Sequence, residues 1–292
     1  MISQNFLKLT QTSKKLNLIR SVCLHSDKGK SEDEFKKFLK EYRGGSVDLV
    51  KKDNGIAHIV LNHPERRNAL SGSMMVDFSE AVDELDSWKE GVGVVLRGAS
   101  NESRVFCAGG DLKTVEKIVT PGFGLNLASL MTSTTEKLRR LPLVSVCLVD
   151  GLALGGGAEL TTATDYRVGT KESSVSFVHA KMGVAPGWGG AWRLARLVGR
   201  QRAMELLLNC RKLDLETGFQ MGFFDNEVEN YGSVQQAEQF LLNLFEGVDP
   251  SVVRALKKMV LNDDPEKEAE IFAPLWGGPA NRAALKKNFK HR

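Results

Sequence analysis

The chain has 292 residues, 42% of them hydrophobic and 26% charged, with a net charge of +4. This is the profile of a globular protein long enough for a full core, as one large domain with appendages or two small ones. The charge suits an anionic small molecule but falls short of a nucleic-acid footprint, and no Arg/Lys run with interleaved aromatics occurs.

Residues 1–26 carry Lys8, Lys14, Lys15 and Arg20, several Ser and Thr, and no acid before Asp27. No apolar run there suffices for a signal peptide or membrane span. This composition fits a mitochondrial presequence and a disordered cytosolic tail equally; residues 1–40 are assigned as a basic, flexible tail. The cysteines, Cys23, Cys107, Cys147 and Cys210, have neither metal-ligand spacing nor disulfide density, which points to a reducing compartment. Without a secretory signal, the sequon Asn101-Glu102-Ser103 is read as chance.

Residues 47–52 and 56–61 are β-branched runs joined by Asp53-Asn54-Gly55, which predicts a hairpin. Met75, Phe78, Val82 and Leu85 predict a helix over 73–88, and VGVVLR (92–97) a buried strand. The loop ending in FCAGGDL (106–112) follows. Leu127, Leu130, Met131, Thr134 and Leu138 give a second helical face, stopped by Pro142, and residues 144–149 another buried strand. GLALGGGAEL (151–160) comes directly after it. Strands alternating with helices predict an α/β fold, helical almost throughout beyond about residue 190.

Both VFCAGGDL and DGLALGGGAEL follow a predicted buried strand and place small residues where a helix should begin. Helix starts carry unpaired N–H groups and favour negative charge. Two such turns on neighbouring strands can aim two donors at one oxygen, forming an oxyanion hole; each alone also reads as a tight strand-to-helix turn. GxxxxGK[ST] is absent, and the GxGxxG pattern does not fit.

The order of these two motifs and PGWGG (186–190), with NHPERRNALSGSMM (62–75) ahead of them, resembles the crotonase (enoyl-CoA hydratase/isomerase) superfamily over about residues 47–265. The resemblance implies a spiral of ββα turns in a core of residues 44–232, a C-terminal helical trimerisation segment over 233–292, and a homotrimer or a dimer of trimers. It implies an acyl-CoA thioester substrate with CoA as part of the substrate, no further cofactor, no metal, and no nucleic-acid or membrane partner. By motif position, Ala108 and Gly156 match the N–H donors to the thioester oxygen. Arg67, Ala69, Ala108, Gly110, Asp111 and Leu112 fall in the segments around CoA. Lys286 and Lys287 read as a solvated helix face. The resemblance favours the cytosol over the mitochondrial matrix.

A hydratase of this family uses two carboxylates, the second about twenty residues after the first, to activate water. Glu159 matches the first position and His179 stands at the second, so the hydratase pair is broken. Within the superfamily, SFVHAKMG (176–183), PGWGG and LWGGPAN (275–281) resemble enzymes that decarboxylate short branched malonyl-CoA thioesters to butyryl- or propionyl-CoA, a metabolite-repair activity. That chemistry needs an oxyanion hole, a loosely held carboxylate and a proton donor to the α-carbon. His179 suits the donor's part, histidine being the side chain that exchanges protons near neutral pH. Glu159 is expected to face the α-carbon, either neutral or turned away from the substrate carboxylate. A hydratase or isomerase using Glu159, and a non-catalytic acyl-CoA-binding subunit, remain the other readings. Arg193 and Arg196 could be phosphate ligands but are assigned to a solvated or interface face, and Trp188 and Trp192 could line the acyl pocket but are assigned to core packing.

Overall fold

The computed structural model describes residues 31–99, 104–262 and 264–287. The basic stretch 1–26 with Cys23 and the Asn101 sequon lie outside the described residues.

The first element corrects the extent assigned to the N-terminal tail. Helix α1 (Glu32–Leu39) starts on a capping box between Ser31 and Glu34 and buries Phe35 and Leu39, one turn apart. The Phe35 ring lies 6.1 Å from that of Phe123, so this turn of chain is folded onto the core. The acidic run Glu32–Glu34 looks like tail by composition, yet it complements the helix N-terminus.

The hairpin forms as predicted, with β1 (Ser46–Lys51) antiparallel to β2 (Ile56–Asn62) in the register Leu49 to Ile59. Helix α2 (Gly72–Ser87), capped by Ser71, leads to β3 (Gly93–Gly98). The chain then alternates between two sheets. It runs from β3 to β4 (Val105–Cys107), through α3 (Leu112–Val115) and α4 (Pro121–Arg140), to β5 (Val144–Val149). It continues through β6 (Leu152–Leu154), α5 (Gly156–Thr161), β7 (Tyr166–Gly169) and β8 (Ser174–Ser176).

With β9 (Leu213–Asp214) and β10 (Asn226–Glu227), the sheets run β1-β2-β3-β5-β7-β10 and β4-β6-β8-β9. The first turn gives both strands of its hairpin to the six-stranded sheet; from β3 on, each turn contributes one strand to each sheet and then a helical segment, which is the ββα spiral. β2, β3 and β5 are parallel neighbours and nearly continuously buried, so their sequences are apolar runs rather than alternations. One apolar cluster fills the space between the sheets and against α2 and α4; a second lies under the C-terminal helices.

Beyond residue 190 the chain is helical apart from the two-residue strands: α6 (Gly190–Val198), α7 (Arg200–Asn209), α8 (Leu215–Met221), α9 (Ser233–Phe245), α10 (Pro250–Val260), α11 (Pro265–Phe272) and α12 (Pro279–Lys286). Lys286 and Lys287, at the end of α12, are exposed.

Candidate active site at the two glycine turns

The strands preceding the two glycine motifs are neighbours, β4 pairing parallel with β6. The second motif does not follow β5 directly, as its sequence suggests: Leu152–Leu154 makes a short strand of its own, and Gly155 turns the chain into α5. Each glycine of the triplet has a separate steric reason. Gly155 sits at φ +52°, which strains a side chain. A Cβ on Gly156 would lie 2.4 Å from the Trp188 ring, and one on Gly157 would overlap the Cys107 carbonyl. The backbones of the two turns are therefore in contact. The Cys107 thiol between them is pushed up to about 12 by burial, against a hydrogen bond from the Gly109 N–H, so it is an inert packing group.

Gly156 is the first residue of α5, and its N–H has no intrahelical acceptor. The Ala108 N–H donates to the Arg67 carbonyl at 3.0 Å. The expectation of two unpaired donors therefore needs correction at Ala108, whose N–H must be shared with or released from Arg67 to reach another oxygen. That bond belongs to a small ladder in which Leu70 N–H donates to Gly109 O and Asp111 N–H to Leu70 O, each at 2.8 Å. The ladder brings Arg67, Ala69, Ala108, Gly110, Asp111 and Leu112 together. Arg67 and Leu112 are exposed and Ala69 is buried. Asp111 caps α3 through Thr114 N–H and pairs with Arg66 at 3.2 Å, so its carboxylate is already engaged.

Glu159 is 1% exposed. Its Oε1 accepts from Gly187 N–H at 3.2 Å, and its Oε2 from Trp188 and Gly190 N–H, both at 2.8 Å. His179 Nε2 lies 3.0 Å from Oε1. Four donors converge on two oxygens, a pattern that an acceptor-only carboxylate satisfies. The glutamate placed by its sequence position at the α-carbon thus directs its oxygens at the PGWGG turn and His179. A Cβ on Gly190 would lie 2.5 Å from Glu159 Cγ, which is why that turn ends in glycine.

His179 does come beside Glu159, but in a 3-10 turn (Val178–Met182), since β8 ends at Ser176. Its side chain is 11% exposed. With Nε2 directed at Glu159, its Nδ1 is buried and has no hydrogen-bond partner among the described residues.

Two further assignments change. Arg193 is 2% exposed rather than solvated. Its guanidinium reaches Thr162 Oγ1 (3.0 Å), Thr135 Oγ1 (3.1 Å), Trp188 O (2.7 Å) and Glu159 O (3.4 Å). Burial pushes its pKa down to about 10, against the pull of Glu159, which leaves it charged at neutral pH. Arg196 is exposed as predicted. Trp192 is not in the core: it is 38% exposed, with the Arg196 guanidinium 4.9 Å from its ring centre. Trp188 is buried, and its ring lines both glycine turns. The acceptors of Arg193 lie on segments up to 58 residues away, and i, i+3 spacing carries no sign of them.

The enoyl-CoA hydratase/isomerase family model matches residues 51–273. The ethylmalonyl-CoA decarboxylase of Xenopus tropicalis is 42% identical, the alignment covering 92% of this chain and 91% of that one. The human ethylmalonyl-CoA decarboxylase is 39% identical over 99% and 97% of the two chains. The solved enoyl-CoA hydratase of Bacillus anthracis superposes with a TM-score of 0.71 at 24% identity, covering 80% of this chain and 90% of that one. For the Thermoplasma volcanium enoyl-CoA hydratase the values are 0.73, 23%, 84% and 97%. With the paired glycine turns, the ββα spiral and these similarities, the chain belongs to the enoyl-CoA hydratase/isomerase family.

Proposed function

We propose that this protein decarboxylates ethylmalonyl-CoA, and methylmalonyl-CoA beside it, to butyryl-CoA and propionyl-CoA. Relatives at 39–42% identity bear the name ethylmalonyl-CoA decarboxylase. The observation that carries the reading is the pair Glu159 and His179: a histidine held on the buried carboxylate, with its other nitrogen unpartnered. A hydratase pairs two carboxylates around water. Here the single carboxylate is consumed by three backbone N–H groups.

The CoA moiety lies along the ladder of residues 66–70 and 108–112, and the thioester oxygen at the Gly156 N–H, with Ala108 N–H joining once released from Arg67. The C–C bond to the carboxylate stands perpendicular to the thioester plane. As it breaks, its electron pair enters the thioester as an enolate and CO2 leaves. Stabilisation of the enolate oxygen contributes about 3–4 kcal/mol per donor by oxyanion-hole precedent. Protonated His179, oriented through Nε2–H to Glu159, delivers the Nδ1 proton to the α-carbon and regains one from solvent, so each turnover consumes one proton. The thioester is the electron sink, and the reaction requires no metal, biotin or pyridoxal cofactor.

Several exposed apolar side chains on the C-terminal helices and the turn between α11 and α12, Leu256, Val260, Phe272, Trp276 and Leu285, support assembly into a trimer or a pair of trimers. No helix among the described residues is long and apolar enough to cross a membrane. We assign a metabolite-repair role in the cytosol. Import of a reporter fused to residues 1–30 into mitochondria would reverse that location.

The test is incubation of the purified protein with ethylmalonyl-CoA and with crotonyl-CoA, products being followed by mass. Release of CO2 with butyryl-CoA is expected. Hydration of crotonyl-CoA without CO2 release identifies a hydratase, and binding without turnover a carrier subunit.

A further inference from the structure

Trp188 packs on one glycine turn and faces the other. Its Cζ3 and Cη2 would lie 2.4 and 2.5 Å from a Cβ on Gly156, and its Cζ2 3.9 Å from one on Gly110. The six-membered edge of the indole therefore rests on the Gly156 backbone and spans towards the opposing turn. The backbone of Trp188 is fixed from both sides. Its N–H donates to Glu159 Oε2, and its carbonyl accepts from Arg193 Nη2 at 2.7 Å and faces the Thr135 hydroxyl at 2.9 Å. The preceding Gly187 carbonyl accepts from Thr132 at 3.0 Å. Four polar side chains from α4, α5 and α6 thus hold one aromatic residue in place, and the hydrogen bonds of the buried Arg193 go to neutral oxygens.

We propose that Trp188 is the specificity-determining wall of the acyl pocket, restricting the substrate to a short α-alkyl branch. This rests on the decarboxylase reading, in which the thioester oxygen sits at Gly156 N–H and the α-carbon one bond beyond the carbonyl carbon. A branch on the indole side of that carbon meets a ring already in contact with Gly156. Because the backbone of Trp188 is pinned, the ring cannot withdraw with its loop, and a longer branch is excluded sterically. Arg193, Thr135 and Thr132 are positioning residues for this wall.

The test compares methyl-, ethyl- and butylmalonyl-CoA with the wild-type protein, Trp188→Phe and Trp188→Leu. The wild type is expected to prefer ethyl over butyl in kcat/KM by at least about 10-fold, the low end for methylene discrimination in an apolar pocket. In Trp188→Leu that ratio should fall about 10-fold, with methylmalonyl-CoA turnover changing less. An unchanged ratio in both folded variants overturns the proposal, as does a wild type indifferent to branch length. Should Trp188→Leu unfold, calorimetric affinities of the wild type and Trp188→Phe for the products butyryl-CoA and hexanoyl-CoA decide. Butyryl-CoA should bind more tightly to the wild type, with a smaller gap in Trp188→Phe; equal affinities in the wild type refute the wall. These affinities do not depend on turnover. Absence of CO2 together with a clear butyryl preference sinks the decarboxylase reading alone, and CO2 release without branch preference sinks the wall alone.

Discussion

Glu159→Gln separates a glutamate that holds structure from one that moves protons. Its four contacts lie at 2.8, 2.8, 3.2 and 3.0 Å, two on each oxygen. The least costly placement of the new NH2 group is towards Gly187 N–H and His179, because the imidazole can change tautomer and accept. Gly187 N–H then loses its acceptor, costing about 1–3 kcal/mol, and the bonds from Trp188 and Gly190 fall from charge-assisted to neutral strength, about 1 kcal/mol each. The sum is roughly 3–5 kcal/mol, or a drop in Tm of roughly 6–20 °C for a domain of this size class. Thermal unfolding followed by circular dichroism measures it, and stopped assays on ethylmalonyl-CoA measure turnover in the folded protein. The decarboxylation rate of the folded protein should fall by about 10²-fold or more as well, because a His179 that accepts from the amide is neutral and lacks the imidazolium proton it delivers. A variant with wild-type Tm whose rate drops by 10²-fold or more contradicts this account and makes Glu159 the acid.

His179→Ala should lower the decarboxylation rate by about 10²-fold or more, and Tm should fall too, because the buried Glu159 loses one of its four donors, a loss of about 1.5–3 kcal/mol; unchanged kinetics on ethylmalonyl-CoA remove it from the mechanism. Gly156→Pro, which deletes the donor N–H, should abolish turnover, whereas Ala108→Ser, acting through a backbone already shared with Arg67, should be far milder. A folded Gly156→Pro protein with near-normal rate refutes the oxyanion assignment. Away from the site, burial holds the pKa of His58 below its ordinary 6.5 despite its hydrogen bond to Glu238. The fold thus prefers the neutral ring, and the unfolded chain takes up the proton first as pH falls through about 6.5, so stability declines on the acid side. His58→Gln should flatten the fall in Tm between about pH 7 and pH 5; parallel curves for the two proteins exclude His58 as its cause.

The parts of this molecule legible in its sequence are those set by local patterns. The β1–β2 hairpin follows from Asn54-Gly55 between β-branched runs, and the parallel strands from apolar runs bounded by glycine. The site segments were readable because glycines crowd where two backbones touch, as Gly157 does against Cys107. Helix α1 was masked by its charge, although Ser31, Glu34, Phe35 and Leu39 spell a capped amphipathic turn. The strand within GLALG is too short for periodicity to register. Least legible was the direction in which Glu159 points. Sequence position puts it at the reacting centre, but its orientation depends on N–H groups 28 to 31 residues further on. The burial of Arg193 has the same origin, because its acceptors converge only in three dimensions.

The central claim is that the bond broken is the one to the α-carboxylate and that the enolate is protonated in the site. Turnover of ethylmalonyl-CoA in D2O tests both halves at once. The account predicts CO2 release at the rate butyryl-CoA appears, with one solvent deuterium at its C2, and both signals slowed together by about 10²-fold or more in His179→Ala. Ethylmalonyl-CoA recovered intact, while the same protein adds water to crotonyl-CoA, would contradict it.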